Sequence, residues 1–313
     1  MLKRFSFGKM VGCASVGIVF CRKIIGLGLQ VFDTISRRFS LMFVFILGFA
    51  IPAMAQETAL RMLNTGDDSR GWEAVGRLDL DGRGFCTGAL IAEDLVLTAA
   101  HCIYDKATGE KFNPGRIEFL AGWRNGRASA YRQVRRVVIP ESYTFAAAAT
   151  PDRVRDDIAL LELYQPIRNT TVVPFDTANR PRGGDPIAVV SYAHDRSEAP
   201  SLQEMCNVIT RQQGVLVMSC EADFGSSGAP VFSLVSGRPQ IVSVVSAVAE
   251  VDGDEVSLGT DLEQITTLIA ELKSGGGYDQ PSAPRASRIT VGKSGSPLTG
   301  RGSIGAKFIR PGN

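Results

Sequence analysis

The sequence predicts an all-β protein, and two observations support this class. Between residues 72 and 260 the apolar segments are short and rich in Val, Ile and Thr, such as "DLVLTAA", "QVRRVVIP" and "QIVSVVSAV". Turn-forming Gly, Pro, Asp and Asn separate these segments, as in "DLDGRG" and "RPRGGD". No long helical pattern intervenes, so the residues alone favour a β-barrel or a β-sandwich over alternating strands and helices.

The ends of this strand-rich body have their own patterns. Residues 169–186, "NTTVVPFDTANRPRGGDP", resemble a connector between two halves. Residues 261–273, "DLEQITTLIAELK", place five aliphatic residues on one face and predict a single amphipathic helix, with Asp261 as its N-cap. The body is long enough for one large unit or two small ones.

The first 55 residues are typical of a targeting segment. They hold seven Lys/Arg and one acid, and an arginine pair precedes the apolar run "LMFVFILGFAIPAMA", which ends in a small-x-small cleavage pattern. At about 15 residues, this run is shorter than the roughly 20 that a membrane-spanning helix needs. We therefore predict a signal segment over 1–55. An uncleaved membrane anchor is the alternative, because residues 11–20 form a second apolar patch.

The charge is unevenly distributed. Residues 56–273 hold 21 basic and 30 acidic residues, a net of −9, and residues 274–313 hold six basic residues and one acid, a net of +5. The last segment is rich in Gly, Ser and Pro and has few periodic apolar residues. Because such a segment cannot bury enough surface to offset its ordering entropy, we expect a flexible basic tail over 274–313.

Four cysteines remain after the targeting segment: Cys86, Cys102, Cys206 and Cys220. An even number in an exported chain predicts disulfides, which an oxidising compartment preserves. The sequence has no Cys-x-x-Cys spacing and only two histidines. We therefore expect no metal site, and nothing in the sequence implies an organic cofactor.

Three motifs resemble those of the trypsin-like serine peptidases, and they occur in that family's order. They are "CTGALIAEDLVLTAAHC" at 86–102, "DIALLEL" at 157–163 and "GSSGAP" at 225–230. The similarity extends over about 72–273. It implies two antiparallel six-stranded β-barrels of the chymotrypsin-like type with a C-terminal α-helix, and an active site in the cleft between the barrels.

The resemblance assigns the catalytic roles to His101, Asp157 and Ser227. A serine hydroxyl is a weak nucleophile at neutral pH and needs a base within hydrogen-bond reach. The resemblance implies that His101 takes that proton and returns it to the leaving amine. Asp157 keeps the imidazole in the tautomer that this transfer needs and stabilises the imidazolium that forms. Asp156 is adjacent, but in an extended segment it points the opposite way, and the family's acid directly precedes Ile-Ala-Leu.

The resemblance also assigns the oxyanion hole to the backbone N–H groups of Gly225 and Ser227. Ser226 departs from the family pattern, because trypsin has at this place an Asp that pairs with the new N-terminus after activation. We find no Ile-Val-Gly-Gly start ahead of Cys86. Both differences resemble those of bacterial exported relatives, in which the oxyanion loop is held without an inserted N-terminus. We therefore expect this protein to mature without such an insertion.

Two disulfides follow as expectations. The family's bridge next to the catalytic histidine implies Cys86–Cys102, and we predict Cys206–Cys220 as the second pair. Both close short loops beside residues of the predicted site.

The specificity pocket has two interpretations. Aligning the nucleophile loop places Glu221 at the pocket floor, where a carboxylate favours Arg or Lys in the substrate, although Glu221 is equally consistent with a solvated loop acid. Ser246 and Val248 fill the pocket wall, and the bulk of Val248 favours small residues instead. The second histidine, His194, lies in a polar stretch, and we interpret it as structural or solvent-exposed.

The sequence thus predicts a periplasmic or secreted serine endopeptidase that acts on protein or peptide substrates through an acyl-enzyme. We expect a monomer with no nucleic-acid partner, and membrane association only through an uncleaved N-terminal segment. The alternative is an inactive peptidase homologue that acts as a binding protein, because a fold alone does not fix a function.

Overall fold

The computed structural model describes residues 60–279, apart from 146–149, 179–180, Ser236 and Asp252. The predicted signal segment, its membrane-anchor alternative and most of the predicted tail lie outside these residues. Within the described part of the chain, no helix is both long enough and apolar enough to cross a membrane.

Most elements of the described chain are antiparallel strands. In chain order they are β1 (Arg61–Met62), β2 (Val75–Leu80), β3 (Phe85–Ala92), β4 (Leu95–Thr98), β5 (Ile117–Ala121), β6 (Ala130–Val138), α1 (Pro151–Arg155), β7 (Ala159–Leu163), β8 (Asp176–Thr177), β9 (Pro186–Ala193), β10 (Arg196–Gln212), β11 (Val215–Met218), β12 (Pro230–Ser233), β13 (Gln240–Val251), β14 (Asp254–Asp261), α2 (Ile265–Lys273) and β15 (Tyr278–Asp279).

The strands close into two six-stranded antiparallel barrels, which confirms the predicted chymotrypsin-like fold. In the first barrel the strand order is β6-β5-β2-β3-β4-β7, and β7 pairs back with β6. In the second barrel the order is β10-β11-β14-β13-β12-β9, and β9 pairs back with β10. Closure leaves no open sheet edge within either ring. The predicted connector 169–186 lies between the last strand of the first barrel and the first strand of the second.

Alternating or continuous apolar residues explain why these segments form barrel strands. In β6, Ala130 and Val134 face the interior, whereas Gln133 and Arg135 are exposed. The shorter strand β4, "LVLT", is buried on both faces. Three aromatic rings, Trp72, Phe175 and Phe232, pack against one another with centroids 4.7–6.0 Å apart.

The C-terminal helix begins later than its apolar pattern predicts. Helix α2 starts at Ile265, and Asp261 is the last residue of β14 rather than an N-cap. The Asp261 carboxylate instead pairs with Arg211 and accepts the Glu263 N–H, so β14 includes the first residue of the predicted helix, and the helix itself begins four residues later. The predicted apolar face is present, since Ile265 and Leu268 are buried.

The described chain continues into the first residues of the predicted tail. Strand β15 pairs with β6 on the outside of the first barrel, with Tyr278 opposite Val137 and Asp279 opposite Arg136. Six residues of the segment expected to be flexible, 274–279, therefore have a defined position on the barrel.

Candidate active site

His101 is held at the end of a buried strand. Strand β4 ends at Thr98, and the chain then forms a short 3-10 turn, Ala100–Ile103, that carries His101. The next residue, Cys102, is disulfide-bonded to Cys86 of the adjacent strand β3. The imidazole is only 5% exposed, so its position is set by packing as well as by the bridge.

Asp157 lies directly beside this imidazole. Its Oδ2 is 2.7 Å from His101 Nδ1, and its Oδ1 accepts the His101 backbone N–H at 2.8 Å. The carboxyl is fully buried. A proton on Nδ1 shared with this carboxylate leaves Nε2 as the basic nitrogen of the ring.

The turn before Asp157 separates it from its acidic neighbour. The short helix α1 has Thr150 as its N-cap and Pro151 as its first residue, and it ends at Arg155 with Asp156 as its C-cap. The Asp156 carboxylate turns away from the histidine, toward Arg155 and the Gln264 amide at 2.7 Å. Of the two acids, the structure therefore brings only Asp157 to His101.

Ser246 belongs to the same hydrogen-bonded group. The sequence indicated a place for Ser246 in the pocket wall but not this bond to Asp157. Its buried hydroxyl donates a hydrogen bond to Oδ2 of Asp157, from β13 of the other barrel. Burial acts to raise the pKa of Asp157, but the interactions with His101 and the Ser246 hydroxyl outweigh it. The pKa of this carboxyl is therefore below its ordinary value.

Ser227 lies in the loop before β12 and faces the cleft together with His101. It is half-buried, and both residues line the same two cavities. Within the described residues its hydroxyl makes no hydrogen bond. Nucleophile–base contacts are often long in unliganded enzymes and shorten when substrate binds.

Two peptide units beside Ser227 are fixed through their carbonyl groups. The Phe224 carbonyl accepts the His194 N–H at 2.7 Å, and the Ser226 carbonyl accepts the Ala229 N–H at 2.9 Å. In a trans peptide the N–H points away from the carbonyl, so the N–H groups of Gly225 and Ser227 point away from these anchors. Neither N–H has an acceptor within the described residues, and both can bind an anion.

Thr87 of the first barrel holds the other side of this loop. Its hydroxyl donates to the Gly225 carbonyl at 2.8 Å, and its backbone N–H donates to the Ser227 carbonyl at 2.9 Å. Gly228 passes close to the same place at φ +75°, where a Cβ would lie 2.1 Å from Thr98 Oγ1. Only glycine fits this backbone path.

A cavity of about 590 Å³ lies on one side of His101 and Ser227. Ser246 and Val248, the two residues assigned to the pocket wall, line it, but Glu221 does not. Glu221 is exposed, and its N–H donates to the Gln203 side chain at 2.8 Å. The structure therefore favours the interpretation of Glu221 as a solvated loop acid over its predicted place at the pocket floor.

The remaining residues of this cavity are apolar or charged. The apolar ones are Ala222, Val245, Ala247, Phe145 and Phe224, and the charged ones are Lys106, Arg153, Asp223 and Glu255. No carboxylate within the described residues pairs with Arg153. The cavity can therefore accept a small apolar group, and it includes a cation that has no carboxylate partner among the described residues.

A second cavity of about 580 Å³ is lined by the same pair and mainly by residues of the first barrel. Its aromatic residues are Phe85, Tyr104, Phe112 and Phe224. His194 also lines it, and this histidine is exposed, consistent with our interpretation that it is not part of the His–Asp pair. His101 and Ser227 therefore border two spaces, one lined mainly by the second barrel and one mainly by the first.

Both predicted disulfides, Cys86–Cys102 and Cys206–Cys220, are present. Cys86, His101 and Cys102 bring their ligand atoms within 4.8 Å of one another. The two sulfur atoms are bonded to each other, so they are not available as the thiolates that a metal ion binds. This cluster does not fit a metal site.

Comparisons with known proteins agree with this geometry. The family model of the trypsin-like peptidase domain matches residues 86–240. Serine protease 23 of Mus musculus is 31% identical over 172 residues, which cover 50% of this chain and 44% of that protein. A glutamyl endopeptidase of Bacillus licheniformis is 25% identical over 173 residues, which cover 54% of this chain and 52% of that protein.

A solved structure of a Glu endopeptidase in complex with MPD has the same fold. It superposes with a TM-score of 0.57 at 18% identity, over 68% of this chain and 97% of that chain. The chain spans only about half the length of the curated relatives named above. The residues matched by the family model, 86–240, include His101, Asp157 and Ser227.

Proposed function

Because the chain carries a domain of the trypsin-like serine peptidase family, we propose that it is an exported serine endopeptidase. The peptidase domain spans 56–273, and Ser227, His101 and Asp157 form its catalytic triad. The observation that carries the proposal is the buried pair of His101 Nδ1 and Asp157 Oδ2 beside the cleft that Ser227 lines.

The proposed reaction follows from these positions. Ser227 Oγ attacks the substrate carbonyl carbon while His101 Nε2 takes its proton, and the N–H groups of Gly225 and Ser227 bind the oxygen that becomes negative. The C–N bond then breaks as His101 returns the proton to the leaving amine. Water, deprotonated by the same nitrogen, releases the acyl group and restores Ser227.

We propose that the residue before the scissile bond is small and uncharged. The cavity wall that contains Val248 is apolar, and Glu221, the acid that would bind Arg or Lys, lies outside the cavity. Arg153 favours a second candidate, an acidic residue in the substrate, because this cation lines the cavity without a carboxylate partner among the described residues. A Bacillus relative is named a glutamyl endopeptidase. Cleavage of a peptide library separates the two.

We propose that the protein works in the periplasm or outside the cell. Two disulfides, Cys86–Cys102 and Cys206–Cys220, support an oxidising compartment. The substrate is a protein or peptide, and we propose that the enzyme acts as a monomer. Sedimentation of the purified protein tests the last point.

A fluorophosphonate probe tests the proposed activity. We expect the probe to label Ser227, and Ser227→Ala to abolish both labelling and peptide hydrolysis. Ser243→Ala is the matched control, because Ser243 is also a serine of the second barrel but lines neither cleft cavity and donates to the Thr260 carbonyl. If the folded protein takes no label and cleaves no peptide in the library, the inactive binding-protein alternative replaces this proposal.

A further inference from the structure

A buried arginine lies behind the loop that carries Ser227. Arg196, the first residue of β10, is 7% exposed. Its Nη2 contacts the hydroxyl oxygens of Ser191 at 3.2 Å and Ser226 at 3.5 Å, and its Nη1 donates to the exposed Asp195 at 3.1 Å. Its Nε is buried without a hydrogen-bond partner within the described residues. Burying a guanidinium is costly, so this position demands a physical reason.

Within the loop that carries Ser227, the residue that the Arg196 guanidinium contacts is Ser226. Its fully buried hydroxyl oxygen lies 3.3 Å from Ser191 Oγ and 3.4 Å from the Tyr192 carbonyl oxygen, and it accepts the Asp223 N–H at 3.3 Å. The Ser226 N–H in turn donates to the Asp223 carbonyl at 2.9 Å. The Ser226 side chain thus ties the loop to itself and to β9.

The loop residues on either side of Ser226 face the opposite direction. Gly225 and Ser227 line the cleft, whereas Arg196 lines neither of the two cleft cavities. Because Ser226 shares a peptide unit with each of these neighbours, rotation of the Ser226 backbone would move the N–H of Ser227 and the carbonyl of Gly225. Whatever fixes Ser226 therefore fixes the anion-binding geometry of the cleft.

We propose that Arg196 is a positioning residue for the oxyanion hole. Its guanidinium supplies a permanent positive charge behind the loop and holds the Ser226 hydroxyl, so the N–H groups of Gly225 and Ser227 stay aimed at the cleft. This inference rests on the proposed peptidase function. It also fits a loop that has Ser rather than Asp at 226. The positive charge behind the loop comes from Arg196, so no inserted N-terminus and no Asp to pair with it are needed.

The course of the N-terminal residues agrees with this role for Arg196. Strand β1 pairs with β10 at Leu202 and Ser201, on the outside of the second barrel. The first residues of the described chain are therefore held on that strand. Acetylation of the α-amine of the mature protein should leave kcat unchanged, whereas loss of Arg196 should not.

Arg196→Met removes the charge and its donors but keeps an unbranched apolar side chain. We expect kcat to fall about 10²-fold while KM changes less than about threefold, because the oxyanion forms only in the reaction. A peptide boronate, which binds as a tetrahedral adduct, should lose affinity by a similar factor. The control is Arg211→Met, which breaks ion pairs to Asp261 and Glu263 and should lower the melting temperature without this loss of kcat. Unchanged kcat in Arg196→Met, or a loss confined to KM, would overturn the proposal.

A second measurement does not depend on activity. Ser226→Asp places a carboxylate against the guanidinium, so the melting temperature should fall little in the parent and much more in the Arg196→Met background. Additive shifts for the two changes would show that Arg196 and Ser226 do not interact and would overturn the proposal. If the parent protein takes no fluorophosphonate label, the proposed function fails, while this coupling still tests the Arg196–Ser226 contact.

Discussion

The Ser246 hydroxyl and the His101 imidazole share one oxygen of Asp157. Ser246 lies on β13 of the second barrel, and Asp157 precedes β7 of the first, so this hydrogen bond crosses between the barrels. Ser246→Ala leaves the carboxylate with fewer donors and a less defined orientation. We expect kcat/KM to fall about tenfold, since a hydrogen bond to a charged group contributes about 1.5–3 kcal/mol.

Steady-state kinetics check this expectation for Ser246. Ser243→Ala is the matched control, because Ser243 is also buried on β13 but donates to the Thr260 carbonyl instead. Asp157→Asn should cost much more, about 10⁴-fold, because the amide favours the wrong imidazole tautomer. Equal activity of Ser246→Ala and the parent would contradict a role for this hydrogen bond.

The lowered pKa of Asp157 predicts a stability that depends on pH. A carboxyl whose pKa is lower in the folded state stabilises the fold above its unfolded pKa of about 3.9, and this contribution is lost as pH falls through the folded pKa. The free energy of unfolding in urea should therefore decrease from pH 6 toward pH 3. The decrease should be smaller in Asp157→Asn. An identical pH dependence in the two proteins would exclude Asp157 as the source of the decrease.

The register of the loop "GSSGAP" predicts different outcomes for its two serines. Ser227→Ala removes the proposed nucleophile and should lower kcat by about 10⁴–10⁶-fold with little change in melting temperature. Ser226→Ala should lower the melting temperature and loosen the loop, with a loss of kcat of no more than about 10²-fold, since its hydroxyl is buried among hydrogen-bonding groups behind the loop. Full activity of Ser227→Ala together with an inactive Ser226→Ala would refute the register.

Gly228 predicts a steric effect that can be separated from a backbone effect. In Gly228→Ala, the new Cβ would meet Thr98 Oγ1 at 2.1 Å and the Thr87 carbonyl oxygen at 2.5 Å. Gly237→Ala is the control, since Gly237 has nearly the same φ, +76°, and open space around it. We expect a cost of about 1 kcal/mol in the control and a larger loss of stability, with loss of activity, in Gly228→Ala. Similar melting temperatures for the two variants would contradict the close packing.

The disulfides predict stability changes of similar size. Each bridge closes a short loop, with sequence separations of 16 for Cys86–Cys102 and 14 for Cys206–Cys220. Replacing either pair with serines should therefore cost about 3 kcal/mol in the chain-entropy model. Urea unfolding measures this cost. A cost below about 1 kcal/mol for both pairs would contradict the stabilisation expected from loop closure.

The residues that could be identified from the sequence are those within a local motif. His101, Asp157 and the loop of Ser227 each lie in a recognisable stretch, and the barrels follow from the similarity of these stretches to one family. The bond from Ser246 to Asp157 was missed because it depends on how strands of different barrels face each other. The sequence left two interpretations of Glu221 open for a similar reason, since its N–H bonds to the distant Gln203 side chain, a contact that no local pattern contains.

The ends of the helices and strands were also hard to predict, because they depend on contacts between residues that are distant in the sequence. Asp261 fits a helix N-cap by residue type, but its ion pair with Arg211 and its pairing with Ser243 keep it in β14. Tyr278 lies in a Gly-rich stretch, yet it pairs with a strand far earlier in the chain. Long-range contacts of this kind override local composition.

The hydrogen bond from Gln264 to Asp156 joins residues that are synthesised at very different times. These residues are 108 positions apart, and Thr260, which donates to the Asp157 carbonyl at 3.2 Å, is almost as distant. On the ribosome, the acid of the His–Asp pair therefore emerges long before the residues that brace it. A nascent chain that still lacks residues 260–264 has the residues of the first barrel and Ser227, but an acid without these two hydrogen bonds. For the peptidase that we propose, full hydrolytic competence then requires that synthesis has passed residue 264.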